Sequence, residues 1–284
     1  MVTAKAEQAG SSENTFRGIV RSCAALFDEA LALVMETDDP SGPHKARVAL
    51  RRLTTAIDSF GPILRRKQSA ALRSQAKSIF RKLGELRDND VYLLGSSESV
   101  APKPAAERVA SNRRLREKVR KKLRKSCAVR FAQQVLLAAE EDGELYRRST
   151  KAKALRAGSV ATFATRALSD AWSRCRSYGP SVEKIPETDR HDFRKDLKTL
   201  RYLAEFFSDH FPNPGDKSFL RDFRAIQDAL GAINDFAVRL KIEGRKPPKQ
   251  PPTIVSEALQ AVEVLWARLN ESQLPWSDQP TLRP

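Results

Sequence analysis

His44, Arg47 and Arg51 in the stretch PHKARVALRRL stand three and four residues apart, with Lys45 and Arg52 flanking them. In an α-helix that spacing puts the three side chains on one stripe, where like charges repel. Such a stripe is suited to holding a polyanion, because Arg offers planar forked donors and Lys a compact charge, and both satisfy phosphate oxygens without reading a base. The pattern returns in HDFRKDLKTLRY, where His191, Arg194, Lys198 and Arg201 follow at an offset of 147 residues (191 − 44). The same offset carries Arg47 to Arg194, Arg51 to Lys198, Leu53 to Leu200, Phe60 to Phe207 and Lys77 to Arg224 without a gap. It also aligns LGELRDNDV at Leu83 with LGAINDFAV at Leu230, pairing Gly84 with Gly231 and Asp88 with Asp235, and it places Phe16 on Phe163. Arg73, Lys77 and Arg81 extend the basic face in the first copy; Lys217, Arg221 and Arg224 do so in the second. At a rise of about 1.5 Å per residue, cations recur every 5 Å or so along the axis, which fits an extended polymer of negative charge.

The elements that must position these residues are helices. Apolar residues recur at spacings of three and four in stretches rich in Ala, Leu, Arg, Lys and Glu, and no alternating β-branched run of useful length is present. Eight helices are expected, over about 15–37, 42–65, 67–94, 105–146 with a bend near Gly143, 151–178, 189–210, 216–242 and 254–270, separated by Pro, Gly and Ser clusters. Leu50, Leu53, Ile57, Phe60 and Leu64 form one core stripe, and Phe193, Leu197, Leu200, Ala204 and Phe207 form its counterpart. The chain is therefore expected to be all-α, two copies of a four-helix unit, with repeat one at about 15–146 and repeat two at about 150–270. Residues 1–14 are expected to be disordered, and 271–284 to form a polar, fraying tail.

Bulk properties agree with a polyanion partner. Lys and Arg total 51 against 35 acidic residues, a formal charge of +16, while 40% hydrophobic residues suffice for a core. The N-terminus lacks an apolar leader and no stretch approaches the roughly 18 apolar residues of a membrane span, so a cytoplasmic protein is expected. Cys23, Cys127 and Cys175 have no C-x-x-C spacing and are expected to be buried thiols. No cofactor and no metal are expected.

Other readings of the same residues have weaker support. Asp88 and Asp90 suggest a metal site, but Ala237 stands where a partner for Asp90 is needed, so Asp88 and Asp235 are assigned an orienting role toward cations such as Arg87. Gly84 and Gly231 are expected to allow close helix approach. The His-Asp pair of HDFRK also occurs in metal-dependent phosphohydrolases, yet the chain holds only His44, His191 and His210, and no P-loop, G-x-S-x-G or H-E-x-x-H motif. A nucleic-acid partner is permitted by charge, but aromatics are only 7% and none interleaves with the stripes as a stacking platform. Solvated helical faces normally intersperse acids, and these stripes mostly do not. The segment from Ala106 to Lys125 carries ten Lys or Arg and two Glu around its circumference, with Val109, Leu115, Val119 and Leu123 expected to anchor it. It can extend the polyanion surface or form a general nucleic-acid or membrane-surface contact.

HKARVALRRL and HDFRKDLKTLRYLAEFF, with the paired LGELRDNDV and IQDALGAINDFAV, make the chain resemble the CHAD (conserved histidine α-helical domain) proteins from about Thr15 to Asn270. The resemblance implies two pseudo-symmetric four-helix bundles around a basic central cleft or pore that binds inorganic polyphosphate without catalysis. It implies that His44, Arg47, Arg51, Lys77, His191, Arg194, Lys198, Arg201 and Arg224 line that cleft, to which Arg52, Arg73, Arg81, Lys217 and Arg221 are added as candidates. Association with polyphosphate granules is a further implication, and nucleic acid would bind only non-specifically. Two departures are visible: Thr54 stands where the second copy has Arg201, and Asn234 stands where the first has Arg87. The ExExK signature of the CYTH triphosphatase domain that often accompanies the family is absent, so a stand-alone CHAD chain is expected. If the histidines act as imidazolium, with an ordinary pKa of about 6.5, binding should tighten from about pH 8 to pH 6.

Overall fold

Ser11 opens the first helix by accepting a hydrogen bond on its side-chain oxygen from the backbone N–H of Asn14, 3.2 Å away, so one of the unpaired donors of the first turn is satisfied. The computed structural model describes residues 10–95, 105–210, 218–246, 248, 250–272 and 274–276. Among these there are ten α-helices and two short 3-10 turns: α1 (Ser12–Glu36), α2 (Ser41–Ser59), a turn at Gly61–Ile63, α3 (Arg66–Gly95), α4 (Ala105–Arg124), α5 (Ala128–Ala138), α6 (Thr150–Ala157), α7 (Ala161–Arg176), α8 (Glu187–Phe207), a turn at Ser208–His210, α9 (Ser218–Ile242) and α10 (Thr253–Glu271). The chain is an all-α helical bundle protein and divides into two compact units, Met1–Ser159 and Val160–Pro284.

In the first unit α1 packs on α2, α2 on α3, α3 on α4, and α5 covers α1. Phe16, Phe60 and Tyr146 meet at its centre, with ring centroids 5.1 Å and 6.2 Å from Phe16, and Phe27 meets Phe131 at 5.8 Å. Burial of each such ring contributes on the order of 1.5–3 kcal/mol. In the second unit α7 packs on α8, α8 on α9 and α9 on α10, while Trp172 of α7 stacks edge-on with Trp266 of α10 at 5.3 Å. Phe193 lies 5.1 Å from Trp266, so α8 is pinned to the same aromatic centre. All ten residues of the two expected core stripes are buried.

Local chemistry explains where the helices depart from expectation. The expected fourth helix is two, because the Ser126 hydroxyl donates to the Leu123 carbonyl at 2.9 Å and competes with the helical ladder. The chain then turns at Gly143, where a Cβ would lie 2.5 Å from the Ala138 carbonyl oxygen. The expected fifth helix is also two: both the amide and the hydroxyl of Ser12 donate to the Gly158 carbonyl, at 2.9 Å and 3.1 Å. Pro62 ends α2 at Ser59 rather than near Arg65. Ser11 to Asn14 are ordered at the start of α1, not part of a disordered arm; residues 1–9 lie outside the described residues. The segment after α10 is not simply a fraying tail, since Leu274 and Trp276 are each 2% exposed and Trp276 meets Phe219 at 5.7 Å. No described helix is long and apolar enough to cross a membrane.

Candidate functional site

Asp39 fixes where α2 begins. Its carboxylate accepts from the Ser41 amide at 2.8 Å and the Ser41 hydroxyl at 2.9 Å, which holds its pKa below the ordinary carboxylate value. One turn on, His44 and Lys45 are exposed, so the stripe starts in solvent. Arg47 is half-buried: its guanidinium lies over the Phe80 ring at 4.2 Å, donates to the Gly84 carbonyl at 3.3 Å and stands 3.7 Å from the Asp88 carboxylate. A Cβ at Gly84 would sit 3.5 Å from Arg47 Nη1, so the glycine admits the guanidinium without needing to. Arg51 lies over the same ring at 5.1 Å. Lys77 and Arg81 of α3 are exposed, and Arg73 is hydrogen-bonded to the Asp58 carboxylate. Between α2 and α3, Leu50, Ala76 and Phe80 with Thr54, Arg51, Arg73 and Lys77 line an open cavity of about 270 Å³.

The second unit holds its cations by other means. His191 is exposed at the start of α8; the adjacent Asp192 is kept below the ordinary carboxylate pKa by Lys195, 2.6 Å away, and secondarily by His191. Arg194 and Lys198 are half-buried. Arg201 donates to Gln227 Oε1 at 2.8 Å and to Glu205 Oε1 at 2.5 Å, while Gln227 donates in turn to the Leu197 carbonyl at 3.0 Å. Arg224 reaches the same Glu205 oxygen at 3.4 Å, so one carboxylate ties two stripe cations together. Arg221 is exposed, and Lys217 lies outside the described residues.

Several expectations need correction. The few acids at the stripes are themselves matched: Asp58 and Glu205 are 147 residues apart (205 − 58), and each pairs with a basic residue on the following helix. Asp88 meets Arg47 rather than Arg87, whereas Asp235 accepts from Asn234 at 3.4 Å. A Cβ at Gly231 would meet nothing within 4 Å, so close approach is not its role. The tight approach is at Gly42, where a Cβ would stand 3.1 Å from Val34 and 3.2 Å from Leu33 of α1. Arg52 reaches Cys23 on α1, where burial pushes the thiol up to about 11 and the guanidinium partly opposes that rise. Cys175 is buried as expected, but Cys127 is exposed.

The basic segment of α4 is partly internal. Arg116 and Arg120 are 2% and 8% exposed. Arg116 donates to Asp90 Oδ1 at 2.8 Å, and Asn112 donates to the same oxygen at 2.9 Å. Burial pushes the Asp90 carboxyl up, with Asn112, Arg116 and Arg87 opposing. Arg120 donates to the Val34 carbonyl at 2.9 Å and meets the Asp38 carboxylate at 3.0 Å. Val119 and Leu123 anchor the helix, Leu115 is half-buried, and Val109 is 58% exposed and anchors nothing. Arg108 is half-buried, 6.0 Å over the Tyr92 ring, and Arg113, Arg114, Lys118, Lys121, Lys122, Arg124 and Lys125 are exposed.

Among the described residues no group of three or more His, Cys, Asp and Glu side chains is arranged to hold a metal ion. The arrangement is one of fixed cations, and its chemistry is electrostatic. No curated protein sequence matches the chain. The crystal structure of the CHAD domain from the plant Ricinus communis superposes with a TM-score of 0.61 at 21% identity, covering 92% of this chain and 87% of that one. PptA from Streptomyces chartreusis superposes with a TM-score of 0.54 at 19% identity, covering 91% and 94% respectively. The CHAD domain family matches residues 18–242, which include every candidate cation of both stripes, and the chain belongs to that family.

Proposed function

We propose that the chain binds inorganic polyphosphate, without turning it over, on the basic faces of α2–α3 in the first unit and α8–α9 in the second. The observation that carries this reading is the repetition at one offset of His, Arg and Arg or Lys on helical faces that are exposed or half-buried. Several of these cations are preset: Arg47 by a ring and a carbonyl, Arg201 by a carboxylate and an amide. Preset guanidiniums lose little freedom when a phosphate arrives, so more of each contact remains as affinity. Polyphosphate presents one charge per unit and no bases, which matches helical faces rich in cationic donors. The two four-helix repeats are proposed to be pseudo-symmetric, and a polyphosphate binder of this kind is placed in the cytoplasm, in association with polyphosphate granules. Because the polymer contacts the folded state only, saturating polyphosphate is expected to raise the melting temperature.

The test is calorimetric titration of long-chain polyphosphate with single-stranded DNA as competitor, alongside an assay for phosphate released in the presence of magnesium. The reading predicts binding that DNA does not displace and no released phosphate. Ready displacement by DNA points to a general polyanion surface, and phosphate release points to a hydrolase.

A further inference from the structure

Two residues that line the cavity in the first unit differ in size from their counterparts in the second. Thr54 and Ala76, which help to line it, stand where the second unit has Arg201 and the fully buried Phe223, at the common offset of 147 (201 − 54, 223 − 76). Two small residues in place of two large ones leave about 270 Å³, just below the roughly 300–1,000 Å³ typical of small-molecule sites. Its inner wall is apolar, formed by Leu50, Ala76 and Phe80. Its rim is cationic, formed by Arg51, Arg73 and Lys77, with Asp58 bonded to Arg73.

Inorganic polyphosphate can use the rim but not the wall, because burying phosphate oxygens against Leu, Ala and Phe leaves them without donors. A ligand that satisfies both carries a phosphate chain on an aromatic body. We propose that this cavity binds the nucleoside moiety of a nucleoside triphosphate, with its phosphates on Arg51, Arg73 and Lys77. The base lies against the plane of Arg51, which is itself supported by Phe80, a ring that already carries Arg47 at 4.2 Å and Arg51 at 5.1 Å. Thr54 determines specificity here, since a side chain as large as its counterpart Arg201 fills the space. The proposal rests on the reading that this face binds phosphate chains, and it adds a preference for one kind of phosphate ester over the bare chain.

The experiment compares ATP with inorganic tripolyphosphate by calorimetry at one fixed salt concentration, in wild type, Thr54→Arg and Thr54→Met. Tripolyphosphate has the same number of phosphates and at least as much charge, so electrostatics alone gives ATP no advantage. Wild type is expected to bind ATP roughly tenfold more tightly than tripolyphosphate, a difference of about 1.4 kcal/mol. Both substitutions are expected to erase that difference while tripolyphosphate still binds, which also shows that the variants are folded. Methionine fills the space without adding charge, so a common result from both variants assigns the effect to volume. Equal or weaker binding of ATP in wild type, or an advantage that survives both substitutions, overturns the inference and leaves polyphosphate binding standing. Failure of tripolyphosphate and long-chain polyphosphate to bind wild type overturns the underlying reading as well.

Discussion

The arginines of α4 and those of the α2 stripe are the same residue type at the same helical spacing, but they are held in opposite ways. Arg116 and Arg120 turn inward and end on Asp90, Asp38 and the carbonyl at the end of α1. Arg51 rests on a ring face, which steadies a guanidinium without neutralising it, and Arg47 shares that ring with only an exposed carboxylate, Asp88, at 3.7 Å. The difference teaches that a run of cations acquires its role from the acids it meets in three dimensions. A buried carboxylate turns an arginine into part of the scaffold. An aromatic or carbonyl support leaves its charge available to a ligand.

The largest way to break this comparison is to remove the acid from the scaffold group. Asp90→Ala leaves Arg116 buried without its carboxylate and is expected to cost about 3–5 kcal/mol in urea unfolding, with polyphosphate affinity of the folded protein unchanged. A loss below about 1 kcal/mol would erase the distinction between the two populations. Raising salt from about 50 to 200 mM should weaken polyphosphate binding by roughly two to three decades if about six phosphates are neutralised, by analogy with single-stranded nucleic acid, while hardly altering the stability that depends on Asp90. A flat salt response in titration would remove the electrostatic account.

Glu205→Gln sharpens the comparison from the other side. It takes a negative charge from beside Arg201 and Arg224, so polyphosphate affinity should rise a few-fold in titration while stability falls by about 1–3 kcal/mol. Weaker binding instead would mean that the carboxylate's orienting effect outweighs its charge. The smallest effect concerns Asp39, whose folded-state pKa is depressed. Its contribution to stability is present above the unfolded value of about 3.9 and disappears as pH falls through the folded value. Asp39→Asn should therefore flatten acid unfolding in that window. Asp90 acts with the opposite sign, since its pKa is raised and protonation favours the folded state.

Much of the scaffold was legible because it is encoded locally. The core stripes at Leu50 to Leu64 and Phe193 to Phe207 follow from periodicity, and every member is buried. The 147-residue offset is likewise visible in the letters, and the bounds of α10 (Thr253–Glu271) fall on residues 106–124 of α4 when it is subtracted. What was missed depends on distance between helices. Arg116 and Asp90 are 26 positions apart, and nothing in either segment reveals that their side chains meet. The acids Asp58 and Glu205 carry a signal in the letters, their shared offset, but which cation each one meets is set by the packing of the following helix. Gly42 and Gly231 look alike as letters, but only Gly42 faces another helix at contact distance. Ser126 breaks α4 from α5 by one hydroxyl bond, an effect that periodicity does not register.

The most direct measurement is titration of long-chain polyphosphate into wild type, the Arg47→Ala, Arg194→Ala double variant and a Lys121→Ala, Lys122→Ala variant of the exposed α4 face. The account predicts that the double variant loses more than tenfold in affinity, since each removed guanidinium forfeits charge-assisted hydrogen bonds of roughly 1.5–3 kcal/mol, while the α4 variant stays within about twofold of wild type. Affinity that survives in the double variant and collapses in the α4 variant would contradict it, and would make α4 the polyanion surface and the repeated stripes scaffold.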